Sequence, residues 1–374
     1  MKIRTVEVIH VRIPLRKPLR TSHLSQKDVD AVLVRLETDD GLQGVGEVTP
    51  ILGYSAETAG SVDSVIKEQL VKVVMGEDPF RIGYIQHKMN GALAPGTYQE
   101  AKAAIEIALH DILGKALNVP VYQLLGGRYR ESVPVVGWVG LDRPEAMAQQ
   151  ARQLLETKFR AIKVKIGGSQ EDIVRVKSVM DAVGGEIEVR ADANEAPVPD
   201  DILRKLDGFG LKWIEQPAPR DRLDKLAEIS RRMDTPIMAD ESAENTNDVY
   251  RIASTRAADV VKLKVMRQGG LLETKKCLAL LDAAGIQTTI GHGFNLTLGA
   301  LGEAHVVLSS PEPVEISEIG GPFDKMTDEV AAEQVQIEDG MLVIPKGPGL
   351  GTSLSEPKIE KYLIERLKLS DNAA

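Results

Sequence analysis

Between residues 133 and 318 short apolar runs alternate with stretches of helical period. The strand-like runs lie at 133–140, 160–166, 186–192, 211–216, 236–240, 259–264, 286–292 and 313–318. Between them, segments such as 144–158, 170–184, 223–233 and 271–285 place apolar residues three or four positions apart, as one face of a helix requires. Strict alternation predicts a parallel sheet with helices outside it. Eight strands in so short a span favour a closed barrel over an open doubly wound sheet. No GxGxxG follows the first of them, as a dinucleotide-binding open sheet would carry. The glycines of 41–47 fall within a hairpin and read as turn chemistry.

The flanks are patterned differently. KIRTVEVIHVRIPL and DAVLVRLETDDGLQGVGEVTP predict three strands, the last two joined at Asp39-Asp40-Gly41. Helical segments follow at about 56–75, 79–90 and 97–117. Strands followed by helices predict an α+β unit over 1–128, ahead of a barrel over 129–320. Beyond 320 the alternation stops. There 339–351 predicts a hairpin with a Pro/Gly-rich turn and 354–369 a terminal helix, in a segment 321–374 that returns to the first unit.

Bulk properties narrow the function classes. A net charge of -9 argues against a nucleic-acid footprint, which needs a basic patch. The single cysteine, Cys277, lies on a predicted helix, reads as a buried structural thiol and suits a reducing compartment. The N-terminal residues lack the apolar core of a signal peptide, and no apolar run reaches about 18 residues. The expectation is a cytoplasmic protein with no membrane contact.

Seven polar residues end the last seven runs: Lys165, Asp192, Glu215, Asp240, Lys264, His292 and Glu318, spaced 23 to 28 residues apart. In a parallel barrel such strand ends converge on one mouth, where these folds carry their chemistry. Asp192, Glu215 and Asp240 would repel one another unless a cation balances them. Oxygen ligands without cysteine or clustered histidine select Mg²⁺, or Mn²⁺, over zinc. A strand-end acid paired with a neighbouring base is the plainer reading of any one of them alone. Lys163 and Lys165, two apart on a strand, share a face, as do Lys262 and Lys264. Crowded ammonium groups depress one another's pKa, and a lysine so lowered can act as a base. If the second and sixth strands oppose each other, Lys165 and Lys264 flank a bound substrate. His292 reads as a hydrogen-bonding group before a base, and Glu318 as a donor to a developing enolate if it is held protonated.

The Lys-x-Lys of KVK, the Asp of DAN, the Glu of EQP, the Asp of ADES and the Lys of KLKVMRQGG together resemble the enolase superfamily. Within it they are similar to the muconate lactonizing enzyme subgroup of the mandelate racemase and muconate lactonizing family. The resemblance covers nearly the whole chain. It implies a (β/α)7β TIM-like barrel with an N-terminal α+β capping domain, and Mg²⁺ held by Asp192, Glu215 and Asp240. It implies Lys165 and Lys264 as opposed acid/base groups, with Lys163 tuning the first. The expected reaction is abstraction of the α-proton of a small-molecule carboxylate through an enediolate. Racemisation or epimerisation leads, with muconate-type cycloisomerisation and then dehydration of a hydroxy acid as alternatives. Loops near 16–26 and 49–56 resemble the segments that close over substrate, making His23 and Tyr54 specificity candidates beside His292 and Glu318. Family members are typically homo-oligomers. Dipeptide epimerases of the subgroup carry Asp-x-Asp on the eighth strand, where this chain has Glu318-Ile319-Gly320.

Overall fold

The computed structural model describes residues 1–20 and 25–370. Strands β1 (Ile3–Arg20), β2 (Ser25–Thr38) and β3 (Gln43–Val48) form an antiparallel sheet, extended by Leu363–Ser370 on the outer edge of β1. The turn between β2 and β3 uses Gly41 at φ +82°. Gly44 and Gly46 are not turn residues, which corrects the sequence reading. They lie in β3 where helix Gln99–Leu117 presses closest, and a Cβ on Gly46 would stand 2.0 Å from the Ala104 carbonyl oxygen. Only glycine permits that approach.

Two C-terminal expectations also change. The segment expected to be one helix divides into helix Glu356–Tyr362 and strand Leu363–Ser370. The open edge of β1 supplies backbone partners, pairing Thr5 with Ser370 and Ile9 with Arg366, and this ladder overrides local helical propensity. The hairpin turns earlier than expected, at Asp339-Gly340, between strands Gln336–Glu338 and Met341–Val343. The Pro/Gly stretch comes after it.

The barrel strands are β4 (Gly137–Val139), β5 (Ala161–Lys165), β6 (Glu188–Asp192), β7 (Ile214–Glu215), β8 (Ile237–Ala239), β9 (Val260–Leu263) and β10 (Gln287–Ile290). They form one parallel sheet in chain order. The eighth run forms isolated bridges instead of a continuous ladder. It still closes the sheet. On one side the amides of Val314 and Glu318 donate to the Thr288 and Ile290 carbonyls, both at 2.8 Å. On the other, Ser317 donates to Pro134 at 2.8 Å and accepts from Val136 at 3.0 Å.

Acidic side chains of the capping domain fasten it to barrel helices. Glu106 accepts from the Leu271 and Leu272 amides at 2.8 and 3.0 Å, capping helix Leu271–Ala283. Glu47 accepts from Leu296 and Gly299 at 2.7 and 3.0 Å, at the start of helix Thr297–Leu308, whose twelve residues are all buried. Burial pushes Glu47 up to about 7, although its three donors favour the ionised form. A carboxyl raised in the fold favours the folded state below its unfolded value near 4.5, and that advantage is lost as pH rises through 7. Glu47→Gln, which cannot ionise, is therefore expected to gain in Tm on the wild type between pH 5 and pH 8.5. A Tm difference independent of pH would count against this account of the interface.

Cys277 is buried, as expected, and burial raises its thiol to about 11. Among the described residues no helix is long and apolar enough to cross a membrane.

Candidate active site

The register of the parallel sheet sets the site. Lys165 aligns with Asp192 and Asp192 with Glu215, so three consecutive strands present these side chains at one level. Lys163 aligns with Arg190 one layer deeper. Between β5 and β9 lie β6, β7 and β8 in one direction, and β10, the closing segment 313–318 and β4 in the other. The strands carrying Lys165 and Lys264 therefore face each other across the barrel.

Alternating charges fill the interior. Lys165 donates to Asp192 at 2.7 Å and to the Asn194 side-chain oxygen at 2.5 Å. Opposite, Lys264 reaches Asp240 at 2.7 Å, and Arg267 holds both the carboxylate and the carbonyl of Asp240 at 2.8 Å. Below them, Lys163 contacts Asp192 at 2.9 Å and both Glu215 and Glu318 at 2.8 Å. Lys262 contacts Glu215 at 3.2 Å and Glu318 at 2.8 Å. Lys163, Lys262, Glu215 and Glu318 are all buried, while the Lys165 side chain remains 31% exposed. Each of these buried charges has a partner, as burial demands.

These contacts fix protonation. Burial and then the Arg267 charge lower the Lys264 pKa against the pull of Asp240, which moves this amine toward a base's range. Lys163 behaves oppositely to the sequence expectation. Burial alone would lower it, but Asp192, Glu215 and Glu318 together hold its ammonium well above the ordinary value. Lys163 is thus a fixed positive charge. Glu318 also differs from expectation: although burial opposes it, Lys163, Lys262 and Arg190 keep its carboxyl far below the usual range. It is ionised and engaged through both oxygens, so it has no proton to donate. Burial, then Lys264 and Arg267, hold His292 well below 6.5. Its neutral ring donates from Nε2 to the Thr49 carbonyl at 3.2 Å, joining the barrel to the 49–56 loop.

Asp192, Glu215 and Asp240 offer an all-oxygen set on adjacent strand ends. Burial and the neighbouring Asp192 push Glu215 well above its ordinary value, a like-charge crowding that a divalent cation relieves. The donor chemistry fits Mg²⁺ or Mn²⁺. Each of these acids is meanwhile engaged by an ammonium group, Lys163 on Asp192 and Glu215 and Lys264 on Asp240.

The structure thus brings Lys163, Lys165, Asp192, Glu215, Asp240, Lys264, His292 and Glu318 together at the barrel. Tyr54 lies on the 49–56 loop and packs beside the cluster containing Ile51 and Leu296. His23 lies outside the described residues. Sequence reasoning missed Arg190, Asn194 and Arg267, and placed Lys262 only as a face-mate of Lys264. The two-residue strand period could have found Arg190, which precedes Asp192 by two as Lys163 precedes Lys165.

Residues 3–126 match the family model for the N-terminal domain of mandelate racemase and muconate lactonizing enzyme, and residues 146–358 the enolase C-terminal domain-like model. The chain is 31% identical over 369 residues to N-succinyl-L-Arg/Lys racemase of Bacillus cereus, covering 97% of this chain and 98% of that protein. The crystal structure of N-succinyl Arg/Lys racemase from Bacillus cereus aligns with a TM-score of 0.93 at 30% identity, covering 99% of this chain and all of that one. Muconate cycloisomerase 1 of Rhodococcus opacus is 31% identical over 374 residues, covering 97% and 98%. Together with the barrel, its cap and the strand-end residues, these matches place the chain in the mandelate racemase/muconate lactonizing enzyme family of the enolase superfamily.

Proposed function

We propose that this protein racemises or epimerises a small carboxylate by removing its α-proton on one face and returning a proton on the other. The observation that carries this reading is the placement of Lys165 and Lys264 on opposed strands, either side of the Asp192–Glu215–Asp240 row. Asp192, Glu215 and Asp240 would hold Mg²⁺, which when bound supplies positive charge to the substrate carboxylate as its α-proton leaves. Lys264, lowered by burial and by Arg267, suits proton abstraction on its face. Lys165, steadied by Asp192 and Asn194, serves the other face. Lys163 and Lys262 stay charged and keep the acids in place from below.

The eighth run bears on the substrate class. Gly320 packs against Gly293, and a Cβ on it would stand 2.7 Å from the Gly293 carbonyl oxygen. The preceding Ile319 is buried. No acid can stand at 320, and Glu318 two positions earlier is taken up by Lys163, Lys262 and Arg190, which supports an N-acylated amino acid over a free-amine dipeptide. Chiral chromatography of N-succinyl-lysine, N-succinyl-arginine and L-Ala-L-Glu, each incubated with enzyme and Mg²⁺, separates these classes. Turnover of the acylated substrates is expected. Turnover of the dipeptide alone would overturn the substrate assignment, and loss of muconate absorbance without any racemisation would favour the cycloisomerase reading.

A further inference from the structure

We propose that Arg220 is a positioning residue that couples the seat of the 49–56 loop to the placement of the Lys165 amine; the second half of this proposal rests on the reaction proposed above. The Arg220 guanidinium grips Glu195 through two bonds, Nε at 3.0 Å and Nη2 at 2.7 Å, and its backbone amide donates to the same carboxylate at 2.8 Å. The other edge of the fork reaches across to the capping domain, donating to the Tyr54 carbonyl at 3.1 Å and the Gly53 carbonyl at 3.3 Å. The loop is thus tied to the barrel at two points, at Thr49 by His292 and at residues 53–54 by Arg220.

Glu195 connects this clasp to the catalytic lysine. Asn194 and Glu195 both adopt the left-handed region, at φ +43° and +65°. Two consecutive non-glycine residues there are strained and persist only where their surroundings hold them. Here Arg220 holds Glu195 while the Glu195 amide donates to the Gln216 carbonyl at 3.0 Å. Asn194 is held by its amide on Asp192 at 2.9 Å, and it presents its side-chain oxygen to Lys165 at 2.5 Å. A stiff two-residue link therefore runs from the Arg220 fork to the Lys165 amine.

The clasp acts mainly on this side of the barrel. Arg220 also donates to Glu244 at 2.8 Å, and Glu244 faces Arg267 at 3.5 Å. Arg267, however, is fixed on Asp240 by its own two 2.8 Å contacts and does not depend on Arg220 for its place beside Lys264. Loss of Arg220 should therefore loosen Lys165 and spare Lys264. The Arg220 side chain is 28% exposed, so its removal leaves no sealed cavity.

The test compares Arg220→Ala and Arg220→Lys with wild type in two assays. In backbone amide exchange, Arg220→Ala is expected to raise exchange about tenfold across both 51–56 and 193–196, with β4–β10 unchanged. In D₂O with Mg²⁺ and each enantiomer of N-succinyl-lysine, racemisation is expected to fall by about 10- to 100-fold, while one enantiomer still takes up α-deuterium at close to the wild-type rate. Arg220→Lys keeps the charge but cannot grip Glu195 with two nitrogens, and should lie between. A proportionate loss of deuterium uptake in both enantiomers would mean a merely structural role and overturn the proposal. So would exchange that rises at 51–56 but not at 193–196. If wild type takes up no deuterium at all, the proposed reaction fails, and the amide assay still decides whether Arg220 links the two segments.

Discussion

Lys264→Ala is expected to reduce racemisation by about 10³-fold while leaving α-deuterium exchange intact for one enantiomer of the substrate. The asymmetry follows from the barrel. Lys165 and Lys264 stand on opposed strands, so each serves one face of a planar intermediate, and removing one blocks only the step that needs it. Lys165→Ala should show the mirror pattern, sparing exchange of the other enantiomer. Neither change empties the site of positive charge, since Arg267 and Lys262 remain near Asp240, and Lys163 remains on Asp192. Chiral separation with mass detection in D₂O reads both quantities at once. If both variants lost exchange of both enantiomers equally, two independent bases would be excluded.

Glu318→Ala is expected to destabilise the fold by about 3–5 kcal/mol, the range for breaking a buried ion pair from one side. Its two oxygens accept from Lys163, Lys262 and Arg190, all buried. Without it these cations share only Asp192, Glu215, Asp240 and the partly exposed Glu188. Glu318→Gln keeps the shape and the hydrogen-bond acceptor and should lose less. Urea unfolding of the two variants distinguishes this role from that of a substrate contact. A Glu318→Ala protein as stable as wild type, with only KM altered, would contradict it.

The barrel was legible because its signals are local. Each run carries its own period, and each strand end its own polar residue, so Lys165, Asp192, Glu215, Asp240 and Lys264 could be placed by spacing alone. What escaped the sequence depends on partners far away in the chain. Gly46 looks like a turn residue until helix Gln99–Leu117 lies against it. Residues 363–370 look helical until the free edge of β1 is beside them. Glu318 looks like a protonated donor until Lys163, 155 positions away, is found on its carboxylate. Arg220 gives no sign of chemistry by itself, and its link to Tyr54 spans 166 positions. The resemblance to the family supplied roles for the lysines. It could not say that Lys163 would be held charged by three acids instead of being lowered by its neighbour.

The central claim is abstraction of an α-proton by lysines on opposed faces. Proton NMR of N-succinyl-L-lysine and its D-enantiomer, each incubated with the wild-type protein and Mg²⁺ in D₂O, tests it most directly. The account predicts that the α-proton signal of both enantiomers disappears, that the same racemic product forms from each, and that chelating the metal stops both. An α-proton that persists in these two and in every other N-acylated amino acid, dipeptide and muconate offered would contradict it.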